Sequence, residues 1–371
     1  MTSETITGRI VTPDGVVDGA LDTADGVITA ITPGPVAPGA PWIVPGFVDM
    51  HCHGGGGHTF TTADADATRA GASFHAGHGT TTLLASLVSS PFDIMLAAVT
   101  AYAPLVRDGV IGGVHFEGPY LSEACCGAQN PAFLRDPSID ELTRLVDAAD
   151  GSIRMITIAP ERPGALTAIR FLVEHGVIAA VGHTDATYNQ VLDAIEAGAT
   201  VGTHVFNGMR PPHHRAPGPV YALLGAAGIV CEFVADGVHM ADETLSFAIG
   251  VVGNRRTALI TDAITATGMS DGAYDLGGQA VTVADGVARL TRVDGEPGSI
   301  AGSTLTMDAA FRRTARVTGS IVDAARAAST TPASALGLTD SGALVPGLRA
   351  DLVQLDVDLK IIGVMRHGVR Q

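Results

Sequence analysis

The sequence predicts an α/β fold: a (β/α)8 TIM-like barrel with a small β-sandwich domain built from both chain ends. Three observations carry that expectation. Eight short apolar segments recur along the chain, amphipathic stretches of helical length separate most of them, and polar side chains suited to metals stand where those segments end. Strand–helix alternation repeated eight times is the signature of a closed parallel barrel, whose functional groups collect at the C-terminal ends of the strands.

The eight segments are 46–50, 81–85, 111–116, 155–159, 177–181, 201–205, 229–234 and 258–261. Helices are expected between them, for example over 65–77, 140–149 and 190–197. Strand 1 runs into His51 and His53, strand 3 ends at Glu117, and strand 5 ends at His183. Strand 6 carries His204 near its end, strand 7 is followed by Asp236 and His239, and strand 8 ends at Asp262. Scattered structural histidines have no reason to fall at those positions.

Residues 5–44 do not fit a barrel. They read as short strands broken by turns at Pro13-Asp14-Gly15 and Asp25-Gly26. The tail 351–369 has the same character, entered by the turn Pro346-Gly347-Leu348-Arg349-Ala350-Asp351. The expected division is therefore 1–44 with 341–371 as the β domain, and 45–340 as the barrel. A β insertion is expected near 272–302, with turns at Asp285-Gly286 and Asp294-Gly295, before helices resume over about 307–328.

Bulk properties exclude several classes. The net charge of −16 leaves no basic patch for nucleic acid, and an anionic substrate would need local arginines. No apolar run reaches the roughly 18 residues of a membrane span. Residues 1–9 are polar and do not resemble a signal peptide. Cys52, Cys125, Cys126 and Cys231 make no disulfide framework, so a cytoplasmic protein is expected.

Two histidines at i and i+2 on a strand point the same way, so one metal can receive both rings of His51 and His53. Glu117, His183 and His204 supply three ligands from three strands and leave a position for water. Imidazole and carboxylate suit zinc, iron, manganese or cobalt, as one or two ions. The chain has a single lysine, Lys360, so no carboxylated lysine can bridge two ions, and Glu117 is the candidate bridge. Asp262 can take a proton from water and hand it to a leaving group, or else hydrogen-bond a ligand histidine. His75, His78, His175 and His367 stand away from strand ends and are expected to be structural. His115 should face the interior one layer deeper, and Cys52 should pack against the barrel wall.

The segments Pro45-Gly46-Phe47-Val48-Asp49-Met50-His51-Cys52-His53-Gly54 and His115-Phe116-Glu117-Gly118-Pro119-Tyr120-Leu121 resemble a known family. So do Gly182-His183-Thr184-Asp185, His204-Val205-Phe206-Asn207-Gly208-Met209, Asp236-Gly237-Val238-His239 and Thr261-Asp262-Ala263. That family is the N-acetylglucosamine-6-phosphate deacetylases of the amidohydrolase superfamily, and the resemblance spans essentially the whole chain. It implies a metal-dependent hydrolase that removes acetate from the sugar phosphate. It implies Glu117, His183 and His204 as ligands of the catalytic ion, and Asp262 as general base and acid. Asn207 and Gly208 would meet the phosphate, and His239 would help bind the substrate. Arg215 would be donated to the neighbouring site of a homodimer, with Arg210 a rival for that role. Gln129 stands in Gly127-Ala128-Gln129-Asn130-Pro131, where the family has a histidine near the substrate. An amide there can still bind a carbonyl or hydroxyl, but it does not titrate near pH 7. The preceding loop, 122–127, reads either as a lid over the substrate or as an ordinary exposed loop. The alternatives are another amidohydrolase, such as an N-acyl-amino-acid deacetylase or a nucleobase deaminase, or a barrel retained as a non-catalytic scaffold.

Overall fold

The computed structural model describes residues 3–294 and 296–371. The first two residues of the polar N-terminal stretch and Gly295 of the expected turn at Asp294-Gly295 lie outside the described residues. Eight parallel strands follow one another around the barrel: Phe47–Cys52, Thr80–Leu87, Gly113–Glu117, Ile153–Ile158, Ile178–Val181, Val201–Gly202, Val230–Val234 and Thr257–Ile260. Nearly every residue in them is buried, because helices cover the outside and side chains fill the inside. The strands therefore read as continuous apolar runs rather than alternating ones. Local chemistry starts the helices between them. The Asp64 carboxylate accepts from the backbone N–H groups of Asp66 and Ala67 at the start of Ala65–Gly77. Ser138 caps Ile139–Ala149, and Thr187 with Gln190 forms a reciprocal capping box at Tyr188–Glu196.

The sixth strand is shorter than the sequence suggests. Only Val201–Gly202 pairs with its neighbours, and the chain then turns through His204 at φ 26° and Phe206 at φ 86°. The apolar run continues past the strand because those residues line a turn, which carries His204 inward.

The ring closes between the first and last strands. Asp262 N–H donates to His51 O at 2.9 Å, and His53 N–H donates to Ala263 O at 2.8 Å. Beneath these bonds lies the fully buried Asp49 carboxylate. It accepts from Thr261 Oγ1 at 2.6 Å and from Thr261 N–H at 3.2 Å. Burial raises Asp49 to about 6 even though these bonds pull it down. Thr261→Val keeps the shape but removes a donor from a buried carboxylate. It is expected to cost about 1–3 kcal/mol in urea unfolding. An unchanged midpoint would show that the seam does not depend on this hydroxyl.

Strands from both ends of the chain share one seven-stranded sheet. Its order is Val369–Arg370, Ile361–Arg366, Leu352–Leu355, Trp42–Pro45, Ser3–Thr12, Gly15–Ala24, Val27–Pro33. Asp25 and Gly26, both at positive φ, make the tight turn that joins its last two strands. Ile6, Ile10, Leu21, Ile28, Ile43, Leu352 and Met365 form a core of their own there. The insertion after the eighth barrel strand is a three-stranded antiparallel sheet of Gly272–Leu276, Gln279–Ala284 and Val287–Leu290. Its buried face packs on Val88 and Ile264, beside the C-terminal mouth of the barrel. Among the described residues, no helix is long and apolar enough to cross a membrane.

Candidate metal centre and active site

His51 and His53 leave the first strand on the same side, as a two-residue period requires. His183, His204 and Asp262 each stand just past a strand end, at φ 45°, 26° and 51°. Left-handed backbone at non-glycine residues costs on the order of 1–3 kcal/mol each and gathers at functional sites. Here it turns three side chains toward one point above the barrel axis.

Four histidines share one orientation, with Nδ1 outward and Nε2 inward. Nδ1 of His53 faces Ser86 O at 3.1 Å, that of His183 faces Cys125 O at 2.9 Å, and that of His204 faces Asn207 O at 3.2 Å. His51 Nδ1 instead meets the Glu232 carboxylate at 3.2 Å. Outward Nδ1–H bonds leave each Nε2 with a free lone pair aimed at the centre, which is how metal-ligating histidines are held.

Two carboxylates complete the cage. Glu117 Oε1 lies 2.9 Å from His183 Nε2 and 2.8 Å from His204 Nε2. Its Oε2 faces His53 Nε2 at 3.2 Å, so this one carboxylate stands between two clusters. Asp262 Oδ1 is 3.2 Å from His53 Nε2 and 3.6 Å from His51 Nε2. The ligand atoms of Glu117, His183 and His204 lie within 4.8 Å of one another, as do those of His51, His53 and Asp262. Burial works to raise both acids, but positive charge and hydrogen bonds from the histidines, when their rings carry the extra proton in place of a cation, outweigh it. Glu117 sits well below the usual carboxylate range and Asp262 is held at about 2. Glu117, Asp262 and Glu232 are all buried, and none has an arginine or lysine partner among the described residues. Buried anionic groups faced by inward imidazole lone pairs fit divalent cations.

The remaining expected residues are distributed unevenly. A cavity of about 390 Å³ opens over the cage and is lined by Gln129, Asn207, Gly208 and His239, with Leu276 and Ile300 of the insertion. Gly208, at φ 58°, has no room for a side chain, since a Cβ would lie 2.7 Å from His183 Nδ1. His239 Nδ1 is paired with Asp236 at 2.7 Å, leaving Nε2 3.9 Å from Asp262 Oδ2. Gln129 is buried and engaged at both ends of its amide. It accepts from Ser89 N–H at 2.7 Å and donates to Glu117 Oε2 at 2.6 Å. Arg215 is not in this cavity. It lies exposed on the loop before the helix Gly218–Gly225, 2.8 Å from His214 Nε2. Arg210 is held by Asp185 through two bonds of 2.8 and 2.9 Å.

The 122–127 loop touches the site through its backbone, since Cys125 O anchors His183. Burial raises the Cys125 thiol to about 11, and all four cysteines are free. His115 lies one layer below the cage, between Ser86 Oγ at 3.0 Å and Thr157 Oγ1 at 2.9 Å. His75 is buried against Gly54 O, His78 pairs with Asp308, and His175 bonds Phe171 O. Sequence reasoning missed Glu232 and Asp49. The available signal was a charged residue inside an otherwise apolar strand, which is seldom buried without a partner.

The fold and cage together define a TIM-like barrel protein with two candidate divalent-metal clusters at the C-terminal ends of its strands. The sequence pattern of the Amidohydrolase family matches residues 42–370, and the chain belongs to that family. It is similar to the N-acetyl-D-glucosamine-6-phosphate deacetylase of Mycobacterium smegmatis, solved in complex with N-acetyl-D-glucosamine 6-phosphate. The two are 45% identical, with a TM-score of 0.95 over 100% of this chain and 99% of that one. A Lysinibacillus sphaericus N-acetylglucosamine-6-phosphate deacetylase is 35% identical over 88% of this chain and 84% of the relative. An N-acetylgalactosamine-6-phosphate deacetylase of Escherichia coli O157:H7 is 37% identical over 97% of both chains.

Proposed function

We propose that the chain hydrolyses the acetamide of N-acetylglucosamine 6-phosphate, giving glucosamine 6-phosphate and acetate. The observation that carries this reading is the Asp262 carboxylate beside His51 and His53, lining the same sugar-sized cavity as Glu117, His183 and His204. The similarity to the mycobacterial enzyme over the whole chain supports the substrate.

Glu117, His183 and His204 would hold one ion, and His51, His53 and Asp262 a second. Zinc is the first choice, with iron, manganese or cobalt as alternatives. The chemistry such an ion supplies when bound is polarisation of the amide carbonyl and acidification of water. Asp262 then takes the proton of the attacking water as the new C–O bond forms. It delivers that proton to the sugar nitrogen as the C–N bond breaks and acetate departs. His239, oriented by Asp236, donates to the carbonyl oxygen as negative charge grows there. Asn207 and Gly208 bind the far end of the substrate.

The active assembly is a homodimer in which Arg215 reaches the phosphate of the neighbouring site. The exposed Tyr221, Phe247 and Val251 on nearby helices supply apolar surface for that contact. The proposed setting is the cytoplasm, in keeping with four free cysteines. The galactosamine epimer is the second reading, favoured by the Escherichia coli relative.

The test is acetate release from both sugar phosphates and from unphosphorylated N-acetylglucosamine. A preference for one phosphorylated sugar is expected. Equal rates without phosphate would sink the substrate assignment, and a faster galactosamine epimer would replace it. Arg215→Ala is expected to raise KM for the sugar phosphate about 10- to 100-fold, the value of a lost charge-assisted bond, with kcat little changed. An unaltered KM would refute the arginine's role.

A further inference from the structure

Of the four inward histidines, three rest their Nδ1 on neutral backbone carbonyls, and only His51 rests on a carboxylate. That carboxylate, Glu232, sits in the middle of the seventh barrel strand and is 0% exposed. Its Oε2 takes the ring of His51 at 3.2 Å and also accepts the backbone N–H of His204 at 3.2 Å. Its Oε1 has no hydrogen-bond partner. A buried carboxylate with one bare oxygen and no arginine or lysine beside it costs several kcal/mol unless positive charge lies close. Among the described residues, His51 is the side chain that touches Glu232, and it can relay such charge through its own Nε2 in the cage.

We propose that Glu232 is a positioning residue that fixes the Nδ1–H form of His51 and lends it negative charge. His51, His53 and Asp262 thereby hold an ion of their own beside the one at Glu117, His183 and His204. The two contacts of Glu232 are unequal in kind. It reaches one cluster through an imidazole ring, where charge passes to the ligand atom, and the other only through a backbone N–H. Its loss should therefore weaken one ion selectively. This rests on the metal-cage reading of the site but not on the sugar substrate, and the metal alone tests it.

Apoprotein is titrated with Co²⁺, with bound metal counted and the visible cobalt bands followed, in the wild type and in Glu232→Gln. Glutamine keeps an oxygen for the His51 Nδ1–H and removes the charge. The expected result is two ions in the wild type. In the variant the second ion binds roughly 10- to 100-fold more weakly, the usual effect of losing an outer partner of a ligand histidine, and the first is unchanged. Variant isotherms identical to wild type overturn the proposal. So does equal weakening of both ions, which marks a merely structural glutamate, and so does a wild type that saturates at one ion. If the variant does not fold, nitrogen NMR of histidine-labelled wild-type apoprotein decides. A proton on His51 Nδ1 supports the proposal, and a ring protonated at Nε2 alone overturns it.

Discussion

Asp262→Asn is expected to lower kcat by about 10²–10⁴ or more, the range for removing a general base and acid. The ion at Glu117, His183 and His204 should stay, because Asp262 belongs to the other cluster. Asparagine fits the space and its amide N–H can donate to the Nε2 lone pair of His53, so the fold should persist. It cannot accept the water's proton, and the amine would have to leave unprotonated. Since the loss falls on the chemical step, KM should move much less than kcat. Metal counting beside steady-state kinetics checks this. Wild-type turnover in the variant would remove Asp262 from the mechanism.

Chelation is expected to bring turnover to background, because water in an empty cage keeps a pKa near its bulk value of about 15.7. Adding back a divalent ion should restore it. The stripped protein should also melt at lower temperature. Buried Glu117, Asp262 and Glu232 then lose their countercharge, and a ligand held at about 1,000 times its Kd contributes about 4 kcal/mol to stability. Activity that survives chelation with the metal count at zero would contradict the metal centre. A turnover that falls without any change in melting would contradict the charge-balance argument.

The barrel was legible because each parallel strand is covered on both faces and must be apolar throughout. The cage was legible because its histidines and Glu117 sit where such strands end. The length of the sixth strand was not. Val201, Gly202, Thr203, His204 and Val205 look like one strand, and only the left-handed turn at His204 shortens it. Gln129 was expected at the substrate. It lines the cavity, but its amide is engaged with Glu117 and Ser89, a pairing that depends on how a loop folds back. Glu232 showed only as a charge inside an apolar strand, with nothing to name its partner. Its partner His51 lies 181 positions away, and no local period encodes a contact across a closed ring.

The seam between the first and last strands joins Asp49 to Thr261, 212 positions apart, the separation the barrel spans from end to end. His51 and His53 belong to one side of that seam and Asp262 to the other. A growing or partly folded chain can assemble Glu117, His183 and His204 from the third, fifth and sixth strands, but it cannot complete the second cluster until the ring has shut. Joining such distant segments is the slow part of folding for topologies of this kind. Uptake of the second ion should therefore lag behind the first during refolding and mark the moment of ring closure. A chain caught open would then be expected to bind the first ion without being able to act.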